Sequence, residues 1–344
     1  MGESTVLGTV ILAIISGIII LVLNRDINIV VVELVKERPI NLGIVAVGKI
    51  VRDQHLPAIE RNPNLNLIAT ASRNASVAGI PTFQTIEEML KGAPDLDAVA
   101  LCMPPQYRYQ AAHIALNHGL HVLLEKPPGA TVSEVEQLAD MATQKGLSLF
   151  ATWHSRYASA VEKAKHLLID QTIKSVSVAW KEDVRKWHPG QDWIWQAGGL
   201  GVFDPGINGL SILTHLLPEP AMVRKAELAF PENRAAPIAA MMQFTTASGL
   251  AIELDFDWRQ TGNEVWDVKF ALDQGELIVS EGGGVVCLNG EPQEIVEQNE
   301  YEAIYHRFVE IVAGGISDVD LTPLKLTADA FLLGDRRFVE AFID

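Results

Sequence analysis

Short apolar segments alternate with helical segments along the chain between residues 40 and 152. The apolar segments have the length and composition of buried strands; they are residues 40–47, 65–72, 96–103, 121–126 and 147–152. Parallel strands must be joined by crossovers, usually helices, so this alternation predicts βαβ units and a parallel sheet. Local signals agree, because Thr85 and Thr131 are predicted helix N-caps, the second in a capping box with Glu134.

The pattern changes after about residue 155. Longer segments with period-two alternation follow; they are residues 173–180, 221–230, 238–246, 250–258, 265–272 and 276–279. Such alternation is typical of antiparallel strands with one buried face, and it predicts a second domain of α+β type. Two helices are predicted near the C-terminus, over residues 301–313 and 324–342. The predicted domains are residues 39–155 and 156–344, preceded by an apolar extension over residues 1–38.

The extension contains an uncharged run of 18 residues from Val6 to Leu23. As a helix, this run would be ~27 Å long at ~1.5 Å per residue, marginally enough to span a bilayer. Basic residues follow the run and none precedes it, which favours a cytoplasmic C-terminal part. Residues 6–23 are therefore interpreted either as a membrane anchor or as an extension outside the fold. In both cases the rest of the chain is expected in the cytoplasm.

The formal net charge of −16 argues against nucleic-acid binding, because a phosphate backbone requires a basic surface. Cys102 and Cys287 are the only cysteines, and their separation in the sequence indicates a reducing compartment without a disulfide framework. Histidines and cysteines do not occur at metal-ligand spacing, so no metal site is predicted.

The first predicted strand leads into a turn at the position of a dinucleotide-binding fingerprint. Gly48 stands where the backbone must approach a pyrophosphate, but Ala46 and Val51 stand where a glycine and a small residue are usual. An ordinary strand-to-helix turn is the alternative. The second strand ends in Ser72 and Arg73, whose hydroxyl and guanidinium suit a 2′-phosphate and thus NADP. A solvated loop arginine is the alternative there.

The fourth predicted strand ends in Glu125 and Lys126, followed by Pro127 and Pro128. A charged pair at the end of a buried strand is costly unless something uses it. A lysine in such a place can orient and polarise an oxygen, and the prolines stop the strand and fix its direction. A strand end that emerges into solvent is the alternative.

Tryptophans and charged residues are interleaved between Trp180 and Trp195. Indoles pack on the apolar C–H face of a pyranose and polar groups bind its hydroxyls, so this segment predicts a sugar site. An aromatic core under a long loop is the alternative. After a glycine-rich stretch, Asp204 and Asn208 would share one helix face and could hold one substrate hydroxyl. An N-capping aspartate with a surface asparagine is the alternative.

Together, the glycine turn, the Glu-Lys-Pro strand end and the later glycine-rich stretch with its aspartate and asparagine resemble the Gfo/Idh/MocA oxidoreductases. The similarity runs from about Asn41 to the C-terminus. It is especially close to the branch that oxidises L-arabinose and D-galactose at C1, over residues 48–57, 124–131, 150–155 and 180–208. The family implies an α/β fold: an N-terminal Rossmann dinucleotide-binding domain and a C-terminal α+β domain with an open, mostly antiparallel sheet.

The resemblance also implies roles for individual residues. Lys126 would orient the C1 hydroxyl, Asp204 would act as acid or base, and Asn208 would align the hydroxyl where many relatives carry histidine. The implied sugar contacts are His154, Glu182, Trp187, His188 and Trp266. The implied contacts to NAD or NADP are Gly48, Lys49, Ile50, Ser72, Arg73, Pro104, Glu125 and Lys126. The identity of the formal base, Lys126 or Asp204, stays open because such a pair titrates as a unit.

The predicted function is oxidation of an aldose, L-arabinose or D-galactose, at C1 to the aldonolactone, with hydride transfer to NAD or NADP. One alternative is an inositol or other polyol dehydrogenase of the same family. A second is a non-catalytic sugar or nucleotide sensor on the same fold, although a sensor has no need for Lys126 with Asp204. The expected partner is a small sugar, and association into a homo-oligomer is left open.

Overall fold

The computed structural model describes residues 11–15, 18–23, 28–33 and 38–343. Contacts divide the chain into two units, Met1–Pro39 and Ile40–Asp344. In the first unit, three strands form an antiparallel sheet in chain order; they are β1 (Ile11–Ile15), β2 (Ile18–Leu23) and β3 (Asn28–Glu33).

The structure does not form the single helix over residues 6–23 that a membrane anchor would need, for the part of this run that it describes. β1 and β2 pair antiparallel instead, with Ile11 opposite Val22. Isoleucine is the main residue of both strands, and β-branched side chains lose rotamer freedom in a helix and are enriched in strands. Among the described residues, no helix has the length and hydropathy that crossing a membrane requires. The remaining residues of the run lie outside the described part.

The second unit begins with a six-stranded parallel sheet. Its strands are β4 (Ile40–Val45), β5 (Leu65–Ala71), β6 (Thr82–Phe83), β7 (Ala98–Leu101), β8 (His121–Leu124) and β9 (Leu149–Ala151). Their order in the sheet is β6-β5-β4-β7-β8-β9, with every pairing parallel. The direction of winding reverses between β4 and β7. In such sheets, the carboxyl ends of the strands at the reversal form the ligand crevice.

Helices cover both faces of this sheet. They are α1 (Leu56–Glu60), α2 (Ile86–Gly92), α3 (Arg108–Asn117) and α4 (Val132–Lys145), and α1 follows a π-helical turn over Val51–His55. The predicted caps are confirmed, because the hydroxyl oxygens of Thr85 and Thr131 accept hydrogen bonds from the main-chain N–H groups of Glu88 and Glu134, respectively. The capping box at Thr131 is complete, and Gly146 ends α4 in a left-handed conformation.

The rest of the second unit is built around a nine-stranded sheet. Its strands are β10 (Ile173–Lys181), β11 (Ala221–Pro231), β12 (Ala239–Thr246), β13 (Ala251–Asp257), β14 (Val265–Leu272), β15 (Gly275–Ser280), β16 (Val285–Leu288), β17 (Glu291–Pro292) and β18 (Asp335–Val339). Their order is β17-β16-β15-β14-β10-β13-β12-β11-β18. All neighbours are antiparallel except β10 with β13 and β11 with β18. The predicted α/β fold class, with a parallel sheet and a second, mostly antiparallel sheet, is confirmed.

Five further helices follow in this part of the chain; they are α5 (Val161–Leu168), α6 (Val184–Trp187), α7 (Phe203–Leu216), α8 (Glu300–Ala313) and α9 (Thr322–Leu333). α8 returns to the parallel sheet and packs beside α1. The rings of Phe308 on α8 and Phe150 on β9 stack with centroids 6.4 Å apart. The C-terminal part of the chain therefore completes one face of the first sheet.

The helix predicted over residues 324–342 is wrong in its second half. α9 ends at Leu333, Gly334 is extended at φ −74° and ψ 129°, and β18 follows. β18 pairs parallel to β11, with Asp335 opposite Glu227. Residues 335–339 form a strand because they pair with the edge of β11, and the local periodicity of the sequence does not contain that information.

Candidate active site

Lys126 lies at the carboxyl edge of the parallel sheet, just after β8. The last three residues of β8 are buried between β7 and β9. The guanidinium of the buried Arg108 donates hydrogen bonds to the carbonyl oxygens of Met103, Glu125 and Pro127. The main chain is thus held on both sides of Lys126, where the bond to Pro127 is cis.

Asp204 lies in the first turn of α7, after a glycine-rich loop. Gly201 has a φ of +53°, and a Cβ there would lie 2.2 Å from the carbonyl oxygen of Pro237, so this turn requires glycine. Asp204 and Asn208 lie one turn apart on α7, as predicted. Asp204 is buried and Asn208 is half-buried.

Two further glycines let α7 approach the second sheet closely. A Cβ at Gly206 would lie 2.4 Å from the ring of Phe256, and one at Gly209 would lie 2.7 Å from the ring of Trp180. Real Cβ atoms do not come this close to ring carbons, so these positions fix the height of α7 above the sheet. They thereby also fix the height of Asp204.

Replacing Gly206 with alanine is expected to lower the free energy of unfolding by roughly 1–3 kcal/mol, because the added methyl group overpacks against Phe256. Helix propensity alone would change it by roughly 1 kcal/mol in the opposite direction, so the sign identifies the packing effect. Urea unfolding measures the difference. Gly314→Ala, at the end of α8 with a φ of −79°, is the control, because an added Cβ there would lie no closer than 3.1 Å to its neighbours. An unchanged or increased free energy of unfolding for Gly206→Ala would contradict the close approach.

The ammonium of Lys126 contacts two oxygens of Asp204. Its Nζ lies 3.3 Å from Oδ1 and 3.0 Å from the main-chain oxygen of Asp204. The two side chains are 16% and 4% exposed, respectively. A buried ion pair adds little net stability, because desolvation of the charges offsets their attraction. The fold thus brings two predicted catalytic residues, 78 positions apart in the sequence, into contact. The stability of the fold by itself does not explain why an ion pair is buried at this position.

His188 contacts the other carboxylate oxygen of Asp204, with 3.5 Å between Nε2 and Oδ2. Its Nδ1 lies 3.4 Å from Oε1 of Gln191, and its ring packs edge-on against Trp258 with centroids 5.1 Å apart. Burial lowers the pKa of His188, although the charge of Asp204 opposes this. A neutral imidazole therefore lies beside the carboxylate at neutral pH, where it can accept or donate a hydrogen bond.

Glu182 is a buried carboxylate whose two oxygens both accept hydrogen bonds from indoles. Trp258 Nε1 donates to Oε1 at 3.1 Å, and Trp266 Nε1 donates to Oε2 at 2.9 Å. Burial raises the pKa of Glu182 to about 7, although the two indoles and the charge of Lys126 favour the ionised form. Trp258 was not among the predicted site residues, because in the sequence it reads as one more apolar residue at the end of a strand.

The raised pKa of Glu182 makes stability depend on pH. The folded carboxyl keeps its proton up to about pH 7, whereas an ordinary glutamate loses it near 4.5. The folded state therefore binds more protons between these values, and the contribution of Glu182 to the free energy of unfolding falls as pH rises. Glu182→Gln lacks this dependence. We compare the free energy of unfolding of Glu182→Gln with that of wild type. From about pH 4.5 to pH 8 this difference is expected to change by roughly 1–3 kcal/mol in favour of the variant.

Urea unfolding of both proteins at the two pH values measures this difference. Glu253→Gln, at an exposed position on β13, is the matched control and should show no such change. A difference between Glu182→Gln and wild type that is the same at both pH values would contradict the assignment of a raised pKa.

Trp187 and Trp266 form an aromatic wall beside Glu182. Their rings meet edge to face with centroids 5.8 Å apart, and Trp187 is 43% exposed. The indole N–H of Trp187 donates to Glu264 at 2.5 Å, and the ammonium of Lys186 lies 4.6 Å from the Trp187 ring centroid. An indole fixed in this way, with a solvent-facing surface, suits contact with the C–H face of a sugar ring.

The side chain of His154 contacts Glu300 and Tyr301 in the C-terminal part of the chain. Its Nδ1 lies 2.5 Å from a carboxylate oxygen of Glu300, and its ring stacks on Tyr301 with centroids 5.7 Å apart. The carboxylate of Glu125 also faces protein groups, accepting hydrogen bonds from the Tyr301 hydroxyl and the Lys126 main chain. The sugar contact of His154 and the cofactor contact of Glu125 stay predictions.

The turn after β4 carries the predicted dinucleotide contacts. Ala46 has a φ of +70°, a left-handed conformation that glycine adopts without strain. The main-chain N–H of Ala46 donates to the oxygen of Ala71 at 2.8 Å, and that of Val47 donates to the hydroxyl oxygen of Ser72 at 3.3 Å. Ser72 thus supports the turn, and its own hydroxyl proton remains available for a ligand.

The residues of this turn fit a nicotinamide dinucleotide. Open space surrounds Gly48, where a Cβ would meet nothing within 4 Å, and the apolar side chain of Ile50 is 39% exposed. The N–H of Cys102 donates to the oxygen of Val45 at 3.0 Å, which brings the end of β7, and with it Pro104, beside the turn. Exposed main chain at the carboxyl edge of such a sheet suits a pyrophosphate.

A turn that fits a dinucleotide and a buried lysine–aspartate pair at the same edge of a parallel sheet are features of a dinucleotide-dependent oxidoreductase. Sequence comparison agrees, because the family model described as "Oxidoreductase family, NAD-binding Rossmann fold" matches residues 40–152. The chain belongs to this family, the Gfo/Idh/MocA oxidoreductases, and its cofactor is a nicotinamide dinucleotide.

Individual relatives cover nearly the whole chain. A galactose 1-dehydrogenase from Pseudomonas fluorescens is 43% identical over 307 residues, which are 89% of this chain and all of that protein. The crystal structure of a D-galactose-1-dehydrogenase from Rhizobium etli is 59% identical, with a TM-score of 0.86, and the match covers 90% of this chain and 99% of that one. A 3-ketoreductase from Actinomadura kijaniata shares the fold, with a TM-score of 0.76 at 18% identity over 88% of this chain and all of that one. The resemblance read from the sequence is confirmed for the family and for similarity to galactose dehydrogenases.

Proposed function

We propose that this protein oxidises D-galactose, and with it L-arabinose, at the C1 hydroxyl to the aldonolactone, with hydride transfer to NAD or NADP. The observation that most supports this function is the contact between Lys126 and Asp204 at the carboxyl edge of the parallel sheet. The buried Glu182 and the exposed face of Trp187 lie in the same part of the fold and suit a polyhydroxylated ring. The two galactose dehydrogenases among the relatives support the same substrate class.

The reaction removes a proton from the C1 hydroxyl and a hydride from C1, which leaves the lactone carbonyl. In this proposal Lys126 donates a charge-assisted hydrogen bond to the C1 oxygen. The carboxylate of Asp204 accepts the hydroxyl proton, and Asn208, one turn further along α7, holds the hydroxyl in line. A nicotinamide dinucleotide held at the turn that contains Gly48 would supply the hydride acceptor.

D-galactose and L-arabinose share the stereochemical pattern from C1 to C4 and differ at C5. A pocket that binds the shared hydroxyls through Glu182, His188 and the indoles would accept both sugars. Recognition of a hydroxyl by buried polar groups is selective, because an epimer leaves those groups without a partner. D-glucose, the C4 epimer of galactose, is therefore expected to be a poor substrate.

A panel of sugars tests this function. L-arabinose, D-galactose, D-xylose, D-glucose and myo-inositol are each supplied with NAD or NADP, and the absorbance of the reduced nicotinamide is followed. The proposal expects the largest kcat/KM with D-galactose or L-arabinose. Reduction with myo-inositol alone would identify a polyol dehydrogenase. Tight sugar binding without reduction of either cofactor would identify a sensor, and both outcomes would refute the proposal.

We also propose that NADP is accepted through Ser72 and Arg73, where Arg73 is exposed next to the nucleotide turn. Arg73→Ala is expected to raise the KM for NADP roughly 10-fold or more, because a hydrogen bond between charged groups contributes roughly 1.5–3 kcal/mol. The KM for NAD should change little, since NAD lacks the 2′-phosphate. Steady-state kinetics with both cofactors measure the two values. Arg61→Ala, at an exposed arginine paired with Glu302, is the control. An equal rise for NAD and NADP would contradict the assignment.

The catalytic part is proposed to comprise residues 39–344, with a domain boundary near residue 155, and to work in the cytoplasm. The galactose dehydrogenase of Pseudomonas fluorescens aligns over 89% of the chain, and Cys102 and Cys287 are free. Deleting residues 1–38 should therefore leave kcat unchanged, and an inactive but folded deletion variant would contradict this. Homo-oligomerisation stays a prediction that size-exclusion chromatography tests.

A further inference from the structure

A buried polar cluster lies directly behind Lys126. Its members are His55, Glu125, Tyr301 and Tyr305, each no more than 4% exposed. They come from the π-helical turn after β4, from the end of β8 and from α8. The proposed reaction does not use these side chains directly. A buried polar network whose members are satisfied holds one defined geometry, because any other arrangement leaves groups unpaired.

The hydrogen bonds of this cluster lead to the main chain of Lys126. The Nδ1 of His55 lies 2.7 Å from the Tyr305 hydroxyl, and its Nε2 lies 3.1 Å from Oε1 of Glu125. The Tyr301 hydroxyl donates to the same Oε1 at 2.8 Å. The other oxygen of Glu125, Oε2, accepts the main-chain N–H of Lys126 at 2.7 Å.

His55 favours the charged form of Glu125, and Glu125 is one of three groups that favour the charged form of His55. Burial raises the pKa of Glu125, but the hydrogen bond and charge of His55 lower it to about 2. Burial lowers the pKa of His55, but Cys102, Tyr305 and Glu125 together raise it well above its ordinary value. A charged His55 donates from both ring nitrogens, which matches its two oxygen partners. Such a pair is rarely more stabilising than apolar side chains of the same volume, so stability alone does not explain it.

We propose that Glu125, held in place by His55 and Tyr301, is a positioning residue that sets the direction in which the Lys126 side chain leaves β8. Arg108 holds the carbonyl oxygens of Glu125 and Pro127, and the Glu125 carboxylate holds the N–H between them. With its main chain fixed, Lys126 keeps its ammonium at 3.0 Å from the main-chain oxygen of Asp204. The inference rests on the role of Lys126 in the proposed function.

Two substitutions of Glu125 separate positioning from packing. Glu125→Leu fills the space but removes every acceptor, and it is expected to lower kcat about 100-fold, as a displacement of about 1 Å can do. Glu125→Gln keeps a carbonyl oxygen for the Lys126 N–H and should recover most of this loss. Both variants remove the carboxylate charge, so a cofactor contact of Glu125 would raise the KM for the cofactor alike in both, whereas the positioning role separates their kcat values. A general loss of structure would instead change kcat and both KM values together.

Two tyrosines of α8 supply a matched pair. Tyr301→Phe and Tyr305→Phe each remove one buried hydroxyl from the same helix, so their effects on stability should be similar. Only Tyr301 donates to Glu125 directly. Tyr301→Phe is therefore expected to lower kcat severalfold more than Tyr305→Phe. Equal kcat values in the two variants would contradict the proposed route to Lys126.

Chemical labelling reports the placement of Lys126 without turnover. Each protein is treated with acetic anhydride, and acetylation of Lys126 is compared by peptide mass spectrometry with that of the exposed Lys91. Glu125→Leu should raise the relative labelling of Lys126 severalfold, and Glu125→Gln should not. Equal labelling of the two variants, or a wild-type kcat in Glu125→Leu, overturns the proposal. A wild-type protein that oxidises no sugar refutes the proposed function, and labelling then still decides whether the cluster positions Lys126.

Discussion

Replacing Lys126 with methionine is expected to lower kcat for aldose oxidation by roughly 10²–10⁴-fold, the usual contribution of a positioned acid–base group. Methionine keeps an unbranched side chain of similar length but removes the ammonium. The C1 oxygen then loses a charge-assisted hydrogen bond, and Oδ1 of Asp204 loses its cationic partner. Steady-state kinetics with the most active sugar of the panel measure kcat, and nicotinamide fluorescence measures cofactor binding separately.

Folding and chemistry must be separated in this variant, because removing one partner of a buried ion pair costs roughly 3–5 kcal/mol when the other charge is left alone. Asp204 keeps its contact with His188, so a cooperative thermal unfolding transition is expected. Lys225→Met, at a lysine paired with Glu227 on the second sheet, is the matched control and should retain full activity. A folded Lys126→Met protein with a kcat near that of wild type would remove Lys126 from the mechanism.

Replacing Asp204 with asparagine is expected to reduce kcat to a similar extent, roughly 10²–10⁴-fold. The amide keeps the shape of the side chain and one acceptor oxygen toward Lys126, but it does not take up the proton of the C1 hydroxyl. Sugar binding should be affected much less than turnover, since the acceptors on Glu182 are retained. The control is Asp255→Asn; Asp255 lies on β13 and its carboxylate pairs with Lys181 of β10. Near-normal turnover by Asp204→Asn would show that the proton goes elsewhere.

The double variant shows whether the two residues act as one unit. If Lys126 and Asp204 share one proton-transfer step, removing both should lower kcat little more than removing either, because residues that act together are not additive. Multiplicative losses would instead indicate two independent contributions. If the losses are not additive, an observed pH–rate profile should be assigned to the pair and not to one of its members.

Local signals in the sequence predicted those features that depend on a few neighbouring residues. The N-caps at Thr85 and Thr131 formed as expected, because a capping hydroxyl reaches an N–H only three positions away. The placement of Asp204 and Asn208 on one helix face followed from helical spacing alone. The order of short apolar strands and helices likewise predicted the parallel sheet.

Two segments show where local signals fail. The isoleucine-rich run near the N-terminus has the hydropathy of a membrane helix, yet its described residues pair as β1 and β2. The end of the chain continues a helical pattern beyond Leu333, yet β18 adds to the edge of β11. β1 pairs with the strand that directly follows it, and β18 pairs with a strand from a distant part of the chain. In both cases a strand partner decides the conformation, and hydropathy averaged over a window does not contain that information.

The sequence by itself determined the fold class, through the alternation of strands and helices. It also singled out the turn at Gly48 and, through the family resemblance, Lys126 and Asp204 as candidate site residues. Tertiary structure alone decided that these two residues meet, and that two indoles hold Glu182. It also decided that His55, Glu125 and Tyr301 form one buried cluster behind Lys126. The reason is physical: a hydrogen bond between distant elements, and the pKa that follows from burial, exist only once the sheets and helices have packed around them.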